Sequence, residues 1–313
     1  MRERRRNAAR MRRWTIALVL LGWSAAAPVT FAADIRVRHA QGETVVATLP
    51  KTALVFDLAV LDTLDALGVE VAGVPASHVP DILGKYREAR YLKIGSLFEP
   101  DFEAVNAAKP DLVIVAARSA AVYPQLARLA PTIDLTLPPT GMIDGVRGNV
   151  ATLGRIFGKE PEAAALAGDI DRAAARVRQA TAKAGTVLMV MVNGGKLTIF
   201  GPGSRFGWLY DELGATPAVA QADAATHGAA VSFEFILATD PDWLIVLDRD
   251  AAVGHAGVSA RQVLDNEIVG ATHAARSGRI VYVDPARWYL VGGGGRSFAV
   301  ILNDLADALA AAH

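Results

Sequence analysis

The sequence of 313 residues contains no cysteine. That absence excludes disulfides, thiolate metal sites, iron–sulfur ligation, catalytic thiols and a lipid-bearing N-terminal cysteine. Net charge is also missing: 32 basic residues balance 32 acidic ones, which argues against a nucleic-acid binder. Common enzyme signatures are absent, with no G-x-S-x-G elbow, no G-x-x-x-x-G-K-[ST] loop and no HExxH. The four glycines Gly292–Gly295 do not form G-x-G-x-x-G, and His39, His78, His255, His273 and His313 show no HxxxH spacing, so a zinc site is not supported. Long apolar runs are lacking too. The strictly apolar stretch Trp14–Trp23 is about half of the ~20 residues a spanning helix needs, and no later segment does better.

What is present is a globular composition, 52% apolar and 20% charged, in a chain long enough for two lobes. Met1–Arg13 carries seven arginines and one glutamate, Trp14–Trp23 is apolar, and Thr30-Phe31-Ala32-Ala33 supplies small residues for cleavage after Ala32. This pattern predicts a secretory signal peptide over 1–32, hence an exported, soluble periplasmic protein that no lipid anchors. Its removal leaves 25 basic and 31 acidic residues, a formal charge of about −6.

A repeat organises the rest. Phe102–Arg118 (FEAVNAAKPDLVIVAAR) and Phe233–Arg249 (FEFILATDPDWLIVLDR) align without a gap at an offset of 131 residues, with eight identities in 17. Each copy reads as a short helix opening on Phe-Glu, a turn at Pro-Asp, and a Val/Ile-rich buried parallel strand that ends in arginine. In the first lobe, Leu54–Leu67 reads as an amphipathic helix and Val69–Val74 as a strand. They precede helix Asp101–Ala108, strand Leu112–Ala116, helix Tyr123–Leu129 and strand Thr132–Leu135. The second lobe reads as strands Val187–Val192 and Leu197–Phe200, helices Phe206–Leu213 and Phe233–Ala238, strands Trp243–Leu247 and Ile280–Val283, and helix Ser297–Ala312. Between them, Leu166, Ile170, Ala174 and Val177 fall at helical spacing from Pro161, at a first turn, to Gly185, at a stop. The expectation is an α/β protein with two Rossmann-like lobes, 33–158 and 185–313, joined by a single long helix over 159–184, which allows small hinge motion.

Ligands of open α/β sheets sit beyond the carboxyl ends of the strands. Arg118 and Arg249 follow repeated strands there, and Arg205 lies in the turn Gly201-Pro202-Gly203-Ser204-Arg205. Three forked, permanently charged side chains suit carboxylate, phosphate or catecholate oxygens, although each alone reads equally as a solvated loop charge. The helix opening near Ser297 adds amide donors for an anion. His227, in a loop, and Tyr289, beside Trp288, carry no metal signal by spacing alone. The carboxylate pairs Asp62/Asp65 and Asp304/Asp307 read as solvated helix faces.

These residues together resemble the periplasmic substrate-binding proteins of iron–siderophore ABC transporters, the class III fold whose lobes share one backbone helix. The resemblance runs over about the whole mature chain, through 94–115 (IGSLFEPDFEAVNAAKPDLVIV), 231–247 (VSFEFILATDPDWLIVL) and the linking helix. It is closest to catecholate binders of the petrobactin and enterobactin-fragment type, whose ligand motif matches Arg118, Arg205, His227, Arg249 and Tyr289. The resemblance implies charge neutralisation by the three arginines and iron ligation by His227 and Tyr289. It also implies docking of Glu103 and Glu234, one per lobe, on an inner-membrane ABC permease. The resemblance further implies no intrinsic cofactor, Fe(III) that arrives inside the siderophore, and a carrier that works as a monomer and not as an enzyme. Hard Fe(III) prefers oxygen. A tris-catecholate fills its octahedron, whereas a tetradentate bis-catecholate leaves two places for His227 and Tyr289. Many relatives of this type are lipoproteins, which a chain without cysteine does not match. Two alternatives stay open: a haem or corrinoid binder of the same fold, with Trp208, Trp243 and Trp288 as candidate cleft aromatics, and an exported α/β enzyme acting on an anion.

Overall fold

In this computed structural model, which describes residues 34–219 and 228–311, the chain lays down two α/β sheets and one hairpin. The leader expected over 1–32, together with His227 and His313, lies outside the described residues. The hairpin, β1 (Asp34–His39) with β2 (Gly42–Ala47), comes first. The first lobe then runs β3 (Ala53–Val55), α1 (Leu58–Ala66), β4 (Gly73–Val74), β5 (Leu92–Lys93), α2 (Phe102–Ala108), β6 (Leu112–Val115), α3 (Tyr123–Leu126), β7 (Thr132–Asp134) and α4 (Met142–Phe157). Its five strands are all parallel, in the order β5-β4-β3-β6-β7.

Helix α5 (Glu160–Ala184) carries the chain across to the second lobe. That lobe holds β8 (Thr186–Asn193), β9 (Lys196–Phe200), α6 (Trp208–Asp211), β10 (Thr216–Pro217), β11 (Ala229–Val231), α7 (Phe233–Thr239) and β12 (Trp243–Asp248). It continues with α8 (Arg249–Val253), α9 (Ala260–Leu264), α10 (Glu267–Gly270), α11 (His273–Arg276), β13 (Ile280–Tyr282), α12 (Pro285–Tyr289) and α13 (Gly295–Ala310). The order β11-β9-β8-β12-β13 is mixed: β8, β12 and β13 are parallel, and β9 runs back against β8. Gly194 and Gly195 close that hairpin with φ of 55° and 76°, the two positive values a two-residue turn of this hand requires.

The repeat has a physical meaning in three dimensions. Helices α2 and α7 have seven residues each, N-capped by Asp101 and Ser232 and ended by the left-handed residues Lys109 (φ 47°) and Asp240 (φ 43°). The aspartate of each Pro-Asp then clamps the segment that opens its sheet. Asp111 accepts from the amides of Lys51 (2.8 Å) and Thr52 (3.0 Å), and Asp242 from the Thr186 amide (2.7 Å) and hydroxyl (2.9 Å). Gly185 leaves room for Asp242, whose carboxylate a Cβ there would strike. The strands that follow, β6 and β12, are central and buried.

The Thr186 bonds hold the Asp242 carboxyl below its usual range and outweigh its partial burial. A depressed carboxylate stabilises the fold above its unfolded pKa and loses that contribution as pH falls through the folded value. Asp242→Ala is therefore expected to cost about 1–3 kcal/mol at neutral pH. The cost should appear as a lower urea midpoint, with the gap to wild type closing in acid.

Two expected elements are corrected and one is added. The helix expected over Leu54–Leu67 is strand β3 followed by α1, because Asp57 takes an extended conformation and its carboxylate caps the amides of Ala59 and Val60. The strand expected over Val69–Val74 contracts to Gly73–Val74. Helix α4, unanticipated, contains three glycines, which disfavour helix, although Ile143, Val146, Val150, Leu153 and Phe157 keep helical spacing. One of them, Gly154, is where α4 crosses α5, since a Cβ there would lie 2.6 Å from that of Ala163.

Asp62, expected on a solvated face, is 2% exposed. It meets the amino end of α13, the helix that returns from the second lobe to pack against α1 and α5.

Candidate functional site

Between the two sheets lies a cleft of about 380 Å³, lined from the first lobe by Asp57, Val60 and Arg118 and from the second by Arg205, Trp208 and Tyr289. Each lining carboxylate is already engaged by backbone amides. Asp57 caps α1, Asp211 accepts from Gly203, and Glu212 accepts from Met142 and Ile143 at the start of α4. These bonds balance the acids locally and leave Arg118 and Arg205 as the cationic side chains of the lining, with Arg249 behind them on Tyr289.

The three arginines converge on one residue. Arg118 and Arg205 both donate to the Tyr289 carbonyl oxygen, at 3.0 and 2.8 Å, and Arg249 Nε donates to the Tyr289 hydroxyl at 3.0 Å. Their guanidinium carbons stand 5.3, 4.6 and 5.5 Å from the ring centre, within cation–π reach. Arg118 thereby bridges the lobes.

Local structure aims each side chain. Arg249 opens α8 directly after β12, with Asp248 as the cap. Arg118 follows Ala117, whose φ of 46° costs about 1–2 kcal/mol in a residue with a Cβ. That conformation is held by the bond from the Ala117 amide to Thr136 Oγ1 (2.7 Å), itself tied to buried Asp134. Arg205 sits in a turn closed by Ser204 Oγ on the Gly201 carbonyl (2.6 Å).

Charges this close perturb one another. Crowding by the cleft walls, then repulsion from Arg118, lowers the Arg205 guanidinium from its usual range, although its side chain stays open to solvent. Partial burial alone would raise the Tyr289 phenol. The Arg249 hydrogen bond, and then the charges of Arg249, Arg205 and Arg118, outweigh burial and bring the phenol below its ordinary value. The arrangement is a cationic cage around an acidified phenol, suited to an anion that also offers a site for phenolate.

Sequence reasoning missed Asn193, whose Oδ1 accepts from Arg249 at 3.0 Å. Its signal was the Asn-Gly-Gly turn that ends β8. The amides expected to serve an anion at the start of α13 are taken instead. Ser297 donates from its amide (2.9 Å) and hydroxyl (2.7 Å) to Asp62, and the Gly295 amide donates to Thr63 Oγ1 (2.9 Å). Trp208 and Trp288 line the cleft, whereas Trp243 is buried in the core with its indole on the Ala184 carbonyl. Glu103 and Glu234 are exposed in the first turns of α2 and α7.

A sequence profile described as "Periplasmic binding protein" matches residues 55–286, and the chain belongs to that family. The petrobactin-binding protein YclQ of Bacillus subtilis is 39% identical over 263 residues, 83% of each chain. Its crystal structure superposes with a TM-score of 0.84, covering 88% of this chain and 99% of that one. The ferric-anguibactin-binding protein FatB of Vibrio anguillarum is 32% identical over 277 residues, 87% of this chain and 86% of FatB. The catecholate-siderophore binding protein VctP of Vibrio cholerae is 31% identical, with a TM-score of 0.82 over 87% of this chain and all of VctP. These relatives are binding proteins, and among the described residues no helix is long and apolar enough to cross a membrane.

Proposed function

We propose that the chain is a periplasmic carrier that captures a ferric catecholate siderophore in the inter-lobe cleft and delivers it to an inner-membrane ABC permease. The observation that carries this reading is the convergence of Arg118, Arg205 and Arg249 on Tyr289. The functions of YclQ, FatB and VctP support it.

A bis-catecholate fills four of the six positions around Fe(III) and leaves a complex that is still anionic. The arginine donors now resting on Tyr289 turn to the catecholate oxygens. The Tyr289 phenolate and the His227 imidazole complete the iron. The mature protein is acidic overall, so capture depends on this local cationic cage. The leader over 1–32 exports the chain, lobes 33–158 and 185–313 hinge on helix 159–184, and the carrier works as a soluble monomer.

Fluorescence titration with ferric bis-catecholate, ferric tris-catecholate, haem and cobalamin tests the reading. Haem belongs in the series because Trp208 and Trp288 line the cleft. Saturable quenching by the bis-catecholate, tighter than by the other three, is expected. No response to either ferric catecholate defeats the proposal.

Glu103 and Glu234, one at the same place in each repeat, dock the loaded carrier on the permease. The double variant Glu103→Gln/Glu234→Gln is expected to keep wild-type ligand affinity. Iron uptake into spheroplasts of the source cell, supplied with the variant, should fall at least about tenfold, as expected for loss of two ion pairs at an interface.

A further inference from the structure

Tyr289 is a second-lobe residue, yet its backbone is tied to the first lobe. It ends α12, and only Leu290–Gly294 separate it from α13. Helix α13 has no side-chain cap of its own, since its N-cap is Gly294. The cap comes from α1: Asp62 accepts both the amide and the hydroxyl of Ser297, and Thr63 Oγ1 accepts the Gly295 amide.

The glycine run lets this strap lie flat on α1. A Cβ at Gly294 would collide with the Asp62 carboxylate and lie 2.6 Å from the Ala59 carbonyl oxygen, and one at Gly293 would meet Leu137 at 2.7 Å. At the other end of the strap, a Cβ on Gly292 would press on the carbonyls of Arg287 and Trp288, at 3.1 and 3.0 Å. The strap therefore has little slack between the α1 pin and the carbonyl on which Arg118 and Arg205 meet.

We propose that Asp62 is a positioning residue for the ligand cage: by capping α13 from the first lobe, it holds the glycine strap and so fixes Tyr289 among the three arginines. Asp62 does not line the cleft. The inference deepens the siderophore reading, whose ligand residue is Tyr289. One consequence is that Tyr289 is mechanically shared between the lobes, and Arg118 reaches it without a large closing motion.

The test compares Asp62→Ala with Asp62→Asn in full-length protein labelled with fluorotyrosine. The Tyr289 fluorine resonance is assigned by its loss in Tyr289→Phe. In ligand-free protein, Asp62→Ala is expected to shift and broaden that resonance. Asp62→Asn, whose amide can still accept the Ser297 amide and bond its hydroxyl, should keep it in place. Ferric bis-catecholate affinity should fall about tenfold in Asp62→Ala alone, the scale typical of partners that orient a metal ligand. Ser297→Ala, which retains the amide bond to Asp62, provides a milder form of the same shift should Asp62→Ala not fold. A folded Asp62→Ala with an unmoved Tyr289 resonance overturns the proposal, as does an Asp62→Asn that shifts as far as the alanine variant. The resonance is read without iron. A wild-type protein that binds no ferric catecholate therefore defeats the siderophore reading and leaves this result standing on its own.

Discussion

Arg205→Ala is expected to weaken capture of a ferric bis-catecholate by about 10- to 100-fold while leaving Tm unchanged or slightly raised. The affinity loss follows from the charge-assisted hydrogen bonds that the guanidinium supplies, about 1.5–3 kcal/mol for a partner that is ionised. The behaviour of Tm follows from the free protein. There Arg205 shares one carbonyl acceptor with Arg118, stacks near the same ring as Arg249, and is disfavoured as a cation by the cleft walls and by those two charges. Removing it relieves repulsion in the empty cage and removes attraction in the filled one. For the same reason Arg118→Ala and Arg205→Ala should not be additive. Either arginine can occupy the Tyr289 carbonyl when the other is gone, so the double variant should lose more than the sum of the singles. Calorimetric Tm and ligand titration on the four proteins of the cycle decide the matter. A drop in Tm with unchanged affinity assigns the arginines to the fold and not to the ligand.

Those arginines were legible because their positions are governed by a local rule. Arg118 and Arg249 close a repeat whose Phe-Glu and Pro-Asp pairs are visible by eye, and the carboxyl ends of parallel strands are where α/β sheets expose ligand groups. The Pro-Asp itself was seen but not understood. Its aspartate bonds to segments 56 to 60 positions away, a pairing that no local pattern announces. Asp62 was misread for the same reason. At helical spacing from Asp65 it looks like one acid on a wet face, and its partner Ser297 is 235 residues distant. The amides after the glycine run read as donors for an anion, and the structure puts helix α1 against them. Helix α4 escaped although its apolar residues keep helical spacing, because three glycines lower its helix propensity, and one of them, Gly154, is set by contact with α5. What could be read, then, was whatever short-range order controls. Among what stayed hidden were features set by pairing between distant segments, including the Asp62–Ser297 cap.

The ratio of wild-type to Tyr289→Phe affinity for ferric bis-catecholate is expected to climb up to about tenfold per pH unit and then level off below the ordinary phenol pKa of about 10. Only the phenolate ligates iron, so below its pKa the bound state has one proton fewer than the free protein, and affinity rises with pH. Taking the ratio to the phenylalanine variant cancels the protonation of the catechol itself. The levelling point marks the phenol's own ionisation, which burial raises but the Arg249 hydrogen bond and the three cationic charges bring down on balance. Arg249→Ala removes the largest lowering contribution and should move the levelling point upward by itself. Folding does not confuse the measurement. A depressed phenol adds stability that is present above its unfolded pKa and lost as pH falls through the folded value, and the ratio is read on folded protein throughout. Absorbance gives the second readout, because a phenolate on Fe(III) contributes a charge-transfer band that Tyr289→Phe cannot. Titrations between about pH 6 and pH 10 on the three proteins separate the two roles open to this residue. A ratio that stays flat with pH, and a band that survives the loss of the hydroxyl, would reduce Tyr289 to a resting place for arginines. A rising ratio that levels early shows that the cage which holds the tyrosine also prepares it to bind metal.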